Sequence, residues 1–126
     1  MVGHSNQPFA SFVELLKLHR IEILIDVRTN ARSRWPQFNG KALATGLAGH
    51  GIDYEHRPGL GGKNVAPAEE LRKEIGEVIE IPGRICLMCS EGNYLNCHRH
   101  HLLAPIVREM GCRVLQINKD GSTAEC

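Results

Sequence analysis

The segment from Cys89 to Arg99 gathers more reactive side chains than any other part of the chain. It reads Cys-Ser-Glu-Gly-Asn-Tyr-Leu-Asn-Cys-His-Arg, which brings together two thiols, a carboxylate, an imidazole and a guanidinium. It follows the apolar run Arg84-Ile-Cys-Leu-Met88, which is typical of a short buried strand. Open α/β sheets bind their ligands outside the carboxyl ends of such strands. The segment therefore predicts a functional site, although no single residue in it fixes the reaction.

Cys89 and Cys97 are the candidate nucleophiles of this segment. A thiol near a helix start, an imidazole or a guanidinium loses its proton more easily, and His98 and Arg99 supply the last two groups. Glu91 and His98 are the candidate acid and base groups. The alternative interpretation is structural, because free cysteine is commonly buried and a loop carboxylate commonly caps a turn.

A metal site is a second interpretation of the same thiols. Cys86-x-x-Cys89 with Cys97-His98 offers four soft ligands in a short span. Positions 86 and 89 are an odd number of residues apart, however, so their side chains leave a strand on opposite faces. A better set adds a distant histidine to the loop ligands: Cys89, Cys97, His98 and either His4 or His56. The leading interpretation includes no cofactor and no metal ligand, and zinc stays open as the alternative.

Arginines form a second group of candidate ligand-binding residues. Asp26 lies near the end of the apolar run 21–27, and Arg28 directly follows that run. Arg34 lies in the basic loop that comes next. If the loops converge, Arg28, Arg34 and Arg99 would clamp a phosphate or carboxylate. Asp26 would hold Arg28 or orient a histidine, and an ion pair that only organises the loop is an equally good account.

Aromatic residues near these arginines suggest a different class of partner. Trp35, Phe38 and Tyr54 would stack on a base beside the cationic side chains, although Trp and Phe in a loop more often plug the edge of a core. The alternative function is a non-catalytic nucleic-acid-binding module with the contact face Arg28, Arg32, Arg34 and Trp35.

The elements that must position these residues alternate along the chain. Apolar periodicity predicts helices over 9–19, 41–50, 67–79 and 102–110, and strands over 21–27, 52–56, 84–88 and 112–117. Strands that alternate with helices imply right-handed crossovers and a mostly parallel sheet. We expect an α/β, three-layer fold with about four to five strands flanked by helices, in which the polar strand ends share one edge.

Composition favours one small cytoplasmic domain. The 126 residues, 42% of them apolar, predict a single domain over 1–126, with a shortened first strand and loop over 1–8 and a flexible tail over 118–126. A net charge of +1 gives no strong attraction to nucleic acid or membrane, so either partner would need a local patch. Five cysteines and no signal-like or membrane-length apolar stretch indicate a reducing cytosol and no membrane partner. The oligomeric state is left open.

Six motifs together resemble a known family. They are Gly3-His4-Ser5-Asn6, Ile25-Asp26-Val27-Arg28, Ser33-Arg34 with Phe38-Asn39, Leu60-Gly61-Gly62, Cys89-Ser90-Glu91 and Cys97-His98-Arg99. In order and spacing they closely resemble the uncharacterised bacterial and archaeal family called domain of unknown function 488. The resemblance implies a small cytosolic α/β domain and transfers no residue role. Some relatives carry DNA-repair labels, and the family usually has a fuller apolar strand before Gly-His-Ser.

A fainter similarity is to rhodanese and the cysteine phosphatases. Ile25-Asp-Val-Arg28 and a strand that ends in Cys89 resemble their layout. Those enzymes wrap an anion in a short Cys-to-Arg cradle, whereas Tyr94 and Leu95 occupy the corresponding positions here and the first arginine is Arg99. The similarity therefore extends to the layout and not to the activity.

The leading hypothesis is an enzyme, a cysteine-dependent transferase or hydrolase, whose pocket at the strand carboxyl ends binds an anionic and nucleotide-like ligand. Its catalytic residues are Cys89, Glu91, Cys97 and His98. Its ligand-binding residues are His4, Ser5, Asn6, Asp26, Arg28, Arg34, Asn39, Tyr54 and Arg99. The alternatives are a DNA-repair-linked nucleic-acid module and a domain held by a structural metal.

Overall fold

The protein folds around one mostly parallel sheet, seen in a computed structural model that describes residues 1–91 and 97–125. Tyr94, Leu95 and the last residue, Cys126, lie outside the described residues. The strands are β1 (Val2–Gly3), β2 (Ile23–Asp26), β3 (Asp53–His56), β4 (Ile85–Cys89), β5 (Leu115–Ile117) and β6 (Thr123–Glu125). The α-helices are α1 (Phe9–Leu18), α2 (Gly40–Ala48), α3 (Ala68–Ile79) and α4 (Ala104–Glu109), with 3₁₀ turns at Pro36–Phe38 and Pro58–Leu60.

The strand order across the sheet is β3-β2-β4-β1-β5-β6. All neighbours are parallel except β5 and β6, which are antiparallel. The predicted α/β fold with a mostly parallel sheet is confirmed, but the sheet has six strands instead of four or five. The additional strand is β6, whose Thr-Ala-Glu sequence is fully exposed and lacks the apolar alternation that marks a strand. The strand β6 is held by backbone hydrogen bonds to β5, although none of its side chains is buried.

Helices cover both faces of the sheet, which gives the expected three layers. On one face, Phe12 and Leu16 of α1 and Leu43 of α2 pack with Leu24 of β2. On the other face, Leu71 and Ile75 of α3 pack with Ile25. Consecutive residues of β2 thus enter opposite cores, because side chains alternate along a strand. Within the described part of the chain, no helix is both long enough and apolar enough to cross a membrane.

Strand β4 alternates in the same way and separates its cysteines. Cys86 belongs to the core under α1 and α2, whereas Cys89 belongs to the core under α3 and α4. The two side chains therefore lie on opposite faces of the sheet, as the odd spacing predicts.

The last helix begins earlier than its apolar stripe predicts. A π-helical turn over Arg99–Leu103 precedes α4, and Pro105 lies in the first turn of α4. Proline cannot donate to the preceding turn and its ring crowds the carbonyl there, so the chain widens before it. At the other end, Gly111 has a φ of 84° and ends the helix, as the sequence predicts. The π turn carries Arg99 at its start, beside the end of β4.

Candidate functional site

Two thiols meet where β4 ends and the last helical segment begins. Cys89 Sγ lies 2.7 Å from Cys97 Sγ, and both residues are 3% exposed. Neither cysteine is in a disulfide. Arg99 Nε lies 3.0 Å from the sulfur of Cys89 and 3.2 Å from the sulfur of Cys97. One guanidinium therefore donates to both sulfurs.

Arg99 is held rigidly in this position. Its side chain is fully buried, Nη1 donates to Gln116 Oε1 at 2.9 Å and Nη2 donates to the carbonyl oxygen of Glu91 at 3.0 Å. Gln116, on β5, is fixed in turn because its amide nitrogen donates to the carbonyl oxygen of Ile117 at 2.8 Å. The cation beside the thiols thus needs no reordering to stabilise a negative sulfur.

The surroundings distribute charge unequally between the two thiols. The hydrogen bond from Cys89 lowers the pKa of Cys97, with further lowering by His98 and Arg99. The same thiol–thiol hydrogen bond, together with burial, raises the pKa of Cys89. The backbone amide of Arg99 also lies 3.5 Å from Cys97 Sγ, at the start of a helical segment. These contacts therefore favour the thiolate form of Cys97 over that of Cys89.

His98 faces Cys97 through one ring nitrogen and the backbone through the other. Its Nε2 lies 3.2 Å from the carbonyl oxygen of Val27, which can only accept, so Nε2 carries the hydrogen. Its Nδ1 lies 3.6 Å from Cys97 Sγ. Gly62 packs against the ring, where a Cβ atom would lie 3.1 Å from His98 Cγ. The imidazole is thereby held in one orientation beside Cys97.

The same side chains make a compact set of soft donors. The ligand atoms of Cys89, Cys97 and His98 all lie within 4.8 Å of one another. Three ligands with an open side are typical of catalytic zinc, and a histidine whose second nitrogen bonds to a carbonyl is typical of metal ligands. Among the described residues, neither His4 nor His56 belongs to this set.

A buried ion pair lies at the end of the neighbouring strand β2. Arg28 donates from Nε to Asp26 Oδ1 at 2.9 Å and from Nη2 to Asp26 Oδ2 at 2.6 Å. Tyr54 donates its hydroxyl to the same Oδ2 at 2.5 Å. Burial, followed by this hydrogen bond to Asp26, raises the pKa of Tyr54, so the phenol remains a donor. The sequence left open whether Asp26 holds Arg28 or orients a histidine, and in the structure Asp26 pairs with Arg28.

His4 connects this ion pair to the core and to β4. Its ring stacks on Phe38 with centroids 4.4 Å apart, and its Nε2 lies 3.5 Å from Arg28 Nη1. Its backbone amide donates to the carbonyl oxygen of Cys89 at 2.9 Å. Burial lowers the pKa of His4, and the nearby Arg28 charge adds to the effect, so the imidazole is neutral.

A cavity of about 770 Å³ opens between these groups. Its wall combines thiols, an imidazole and cationic side chains with one carboxylate, and is formed by Arg28, Thr29, Asn30, Arg32, Gly62, Lys63, Cys89, Ser90, Glu91, Cys97 and His98. All four predicted catalytic residues lie on this wall. Of the predicted ligand-binding residues, Arg28 lines it directly, while Asp26, Tyr54 and Arg99 support residues that do.

Besides His4, which contacts Arg28, the four remaining predicted ligand-binding residues also lie off the wall of this cavity. Arg34 is exposed and its guanidinium lies 5.4 Å from the Trp35 ring centroid, so the expected clamp of three arginines does not form. Asn39 Oδ1 accepts the backbone amide of Ser33 at 2.7 Å and organises the loop. Asn6 is exposed ahead of α1, and Ser5 lines a separate cavity of about 240 Å³.

Other residues at the site were not predicted to act there. Lys63 and Thr29 meet where the Thr29 hydroxyl accepts the backbone amide of Lys63 at 3.1 Å. Lys63 directly follows the Leu60-Gly61-Gly62 motif, and this position in the sequence could have marked it as a candidate site residue. Gln116 was marked only by its polarity within the apolar run of β5.

Comparison with known proteins gives one match. A family model described as domain of unknown function DUF488 matches residues 8–81, which is more than half of the chain. The matched stretch runs from α1 to α3 and includes Asp26, Arg28 and Tyr54, while the thiol pair lies beyond it. No curated protein and no solved structure matches the chain.

Proposed function

The chain belongs to the family described as domain of unknown function DUF488, and from the site itself we propose that it is a cysteine-dependent enzyme acting on a small anionic substrate. The observation that carries the proposal is the position of Cys97, which contacts Cys89, His98 and Arg99 on the wall of a cavity with cationic side chains. That cavity is large enough for a small-molecule ligand.

Cys97 is the proposed nucleophile. The thiolate is the reactive form of cysteine, and it forms readily where cationic and hydrogen-bonding groups stabilise the negative sulfur. Arg99 supplies the charge, Cys89 supplies a thiol donor, and the start of the helical segment adds a backbone amide. Cys97 lies on the cavity wall, so a substrate in the cavity can approach its sulfur.

The anion is bound by Arg28, Arg32 and Lys63. These three cationic side chains line the cavity together with a single carboxylate, Glu91. Asp26 fixes Arg28 through two hydrogen bonds, so Arg28 is already oriented when the ligand arrives. Arg32 and Lys63 are exposed and raise the local concentration of anions. The described lining residues include no Trp, Tyr or Phe, which favours recognition of an anionic group over stacking on a base.

Proton transfer falls to His98 and Glu91. His98 Nδ1 lies beside Cys97 Sγ, where it can exchange a proton with a leaving group. Glu91 is exposed on the cavity wall, where its carboxylate can exchange a proton with bound substrate. A transferase and a hydrolase differ only in whether a second substrate or water accepts the group held by Cys97.

A metal centre is the second candidate, favoured by the compact donor set of Cys89, Cys97 and His98. In that case Cys89, Cys97 and His98 would hold the ion, which would supply Lewis-acid activation of water or substrate. The nucleic-acid alternative has less support, because Trp35 packs against the core and does not line the cavity.

The experiment compares an anionic and a neutral alkylating reagent on the same thiol. Peptide mass spectrometry follows Cys97 during treatment with iodoacetate or iodoacetamide, and the ratio of the two rates reports attraction of the anion. We expect Lys63→Ala and Arg32→Ala to lower this ratio, while Lys73→Ala, on the exposed face of α3, leaves it unchanged. If the ratio of the two alkylation rates is unchanged in all three variants, the proposed anion site is ruled out. Cys112, a half-buried free cysteine outside the site, is the reference thiol. If Cys97 is alkylated no faster than Cys112, Cys97 is not the nucleophile. Stoichiometric zinc together with a Cys97 that is protected from alkylation would favour the metal centre.

A further inference from the structure

The separation of the two sulfurs points to a second step in the chemistry. A disulfide bond has an S–S length of about 2.05 Å, and the sulfurs of Cys89 and Cys97 lie 2.7 Å apart. Only a small approach of the two side chains is needed to join them. Cys86 lies on the opposite face of the sheet and cannot take part in this exchange.

We infer that Cys89 is the resolving thiol of the site, so that the protein reduces a small anionic disulfide and forms a Cys89–Cys97 disulfide. This inference rests on the proposed nucleophile Cys97. It adds the class of substrate, a disulfide carrying carboxylate or similar anionic groups that the cationic wall of the cavity would bind. The cavity of about 770 Å³ has room for a low-molecular-weight disulfide.

The reaction balances in two exchanges. The Cys97 thiolate attacks one substrate sulfur, the substrate S–S bond breaks, and the first leaving thiolate takes the proton of Cys89. The new Cys89 thiolate then attacks Cys97 Sγ, the mixed disulfide breaks, and the second leaving thiolate takes a proton from solvent. The two protein sulfurs lose two electrons and the two substrate sulfurs gain them. A further thiol reductant returns the protein to its dithiol form.

Arg99 suits both exchanges because it lies between the two sulfurs. In the resting protein it stabilises the thiolate of Cys97, at 3.2 Å from that sulfur. After the first exchange the negative charge must appear on Cys89, and the same Nε lies 3.0 Å from that sulfur. The buried guanidinium therefore stabilises the charge at each step without moving.

The test uses the reduced full-length chain, freed of reductant and treated with oxidised glutathione. A Cys112→Ser, Cys126→Ser background limits the remaining thiols to Cys86, Cys89 and Cys97. In this background we expect the loss of two titratable thiols, a mass lower by two hydrogens, and a linked Cys89–Cys97 peptide. Adding Cys89→Ala should leave one glutathionyl group on Cys97, whereas adding Cys86→Ser should change nothing.

The outcomes separate the inference from the proposed function. A glutathionyl group that persists on Cys97 with Cys89 intact, or a disulfide that includes Cys86, would overturn the resolving role. If oxidised glutathione does not react but iodoacetamide still alkylates Cys97 rapidly, the inference fails and the proposed nucleophile stands. If neither reagent modifies Cys97, both fail. The thiol count in the Cys89-containing chain decides the question even if the Cys89→Ala chain does not fold.

Discussion

Gly3 of β1 packs directly against the carbonyl group of Glu91, so closely that a Cβ atom at position 3 would overlap it. The same carbonyl oxygen accepts a hydrogen bond from Arg99 Nη2. Strand β1 therefore sets the position of the loop that follows β4. Gly3 also pairs with Cys89 across the two strands, which places the contact beside the first thiol.

Gly3→Ala should destabilise the fold and displace this loop. Forcing a methyl group into a filled space costs about 1–3 kcal/mol. Gly76→Ala is the matched control, because a Cβ atom there meets nothing within 4 Å and alanine in a helix gains roughly 0.5–1 kcal/mol over glycine. Urea unfolding measures both changes. Equal stability of the two variants would show that the loop is not held by β1.

The buried ion pair makes the second prediction. Asp26→Asn would leave the charge of Arg28 buried without its carboxylate, which costs about 3–5 kcal/mol when one partner of a buried pair is removed. Glu125→Gln removes a carboxylate from the exposed pair with Arg113, and it should change the free energy of unfolding by less than about 0.5 kcal/mol. A similar small loss for both variants would contradict the role given to Asp26.

Stability should fall in mild acid because of His4. Its pKa is lowered in the fold, mainly by burial, from an ordinary value of 6.5. The unfolded chain then binds more protons than the folded chain below that pH, so this contribution is present above pH 6.5 and is lost as the pH falls toward the folded value. Unfolding midpoints measured across this range should decrease in the parent chain. His4→Gln, which does not titrate, should flatten this part of the profile, and an unchanged slope would assign it to other groups.

Arg99 should control the ionisation of Cys97. Arg99→Met removes the cation beside both sulfurs and is expected to raise the pKa of Cys97, measured by the ultraviolet absorbance of the thiolate during a pH titration. Arg99→Lys retains a positive charge but loses the hydrogen bond that Arg99 Nη1 donates to Gln116. Its shift in the pKa of Cys97 should therefore be smaller. Arg113→Met, at an exposed ion pair, is the control and should leave the titration unchanged. If Arg99→Met titrates like the parent, the thiolate depends on other groups.

Sequence periodicity predicted the fold well where residues are buried on a regular element. The apolar run of β2 and the stripe of α3 each indicated their element, since burial on two faces or on one stripe leaves a clear pattern. The exposed strand β6 left no such pattern. The π turn was missed because Pro105 predicts an interruption but not its form.

The candidate site was predicted in part. Cys89, Cys97 and His98 lie together because Cys89 ends β4 and the other two lie at the start of the last helical segment, and the sequence predicted both a strand end and a helix start nearby. Arg34 was misplaced because its contact with Trp35 depends on how a long loop turns. Gln116 and Lys63 were missed, since each reaches the site only through sheet order or loop packing. Neither relationship can be read from spacing along the chain.

The pH dependence of Cys97 alkylation is the decisive test of whether Cys97 is the nucleophile. The rate of reaction with iodoacetamide, followed by peptide mass spectrometry, reports the fraction of Cys97 present as thiolate. We expect a half-maximal rate at a pH well below the ordinary cysteine pKa of about 8.5, because Cys89, His98 and Arg99 lower the pKa of Cys97. A half-maximal rate at or above that value, or no alkylation of Cys97 in the folded chain, would contradict it.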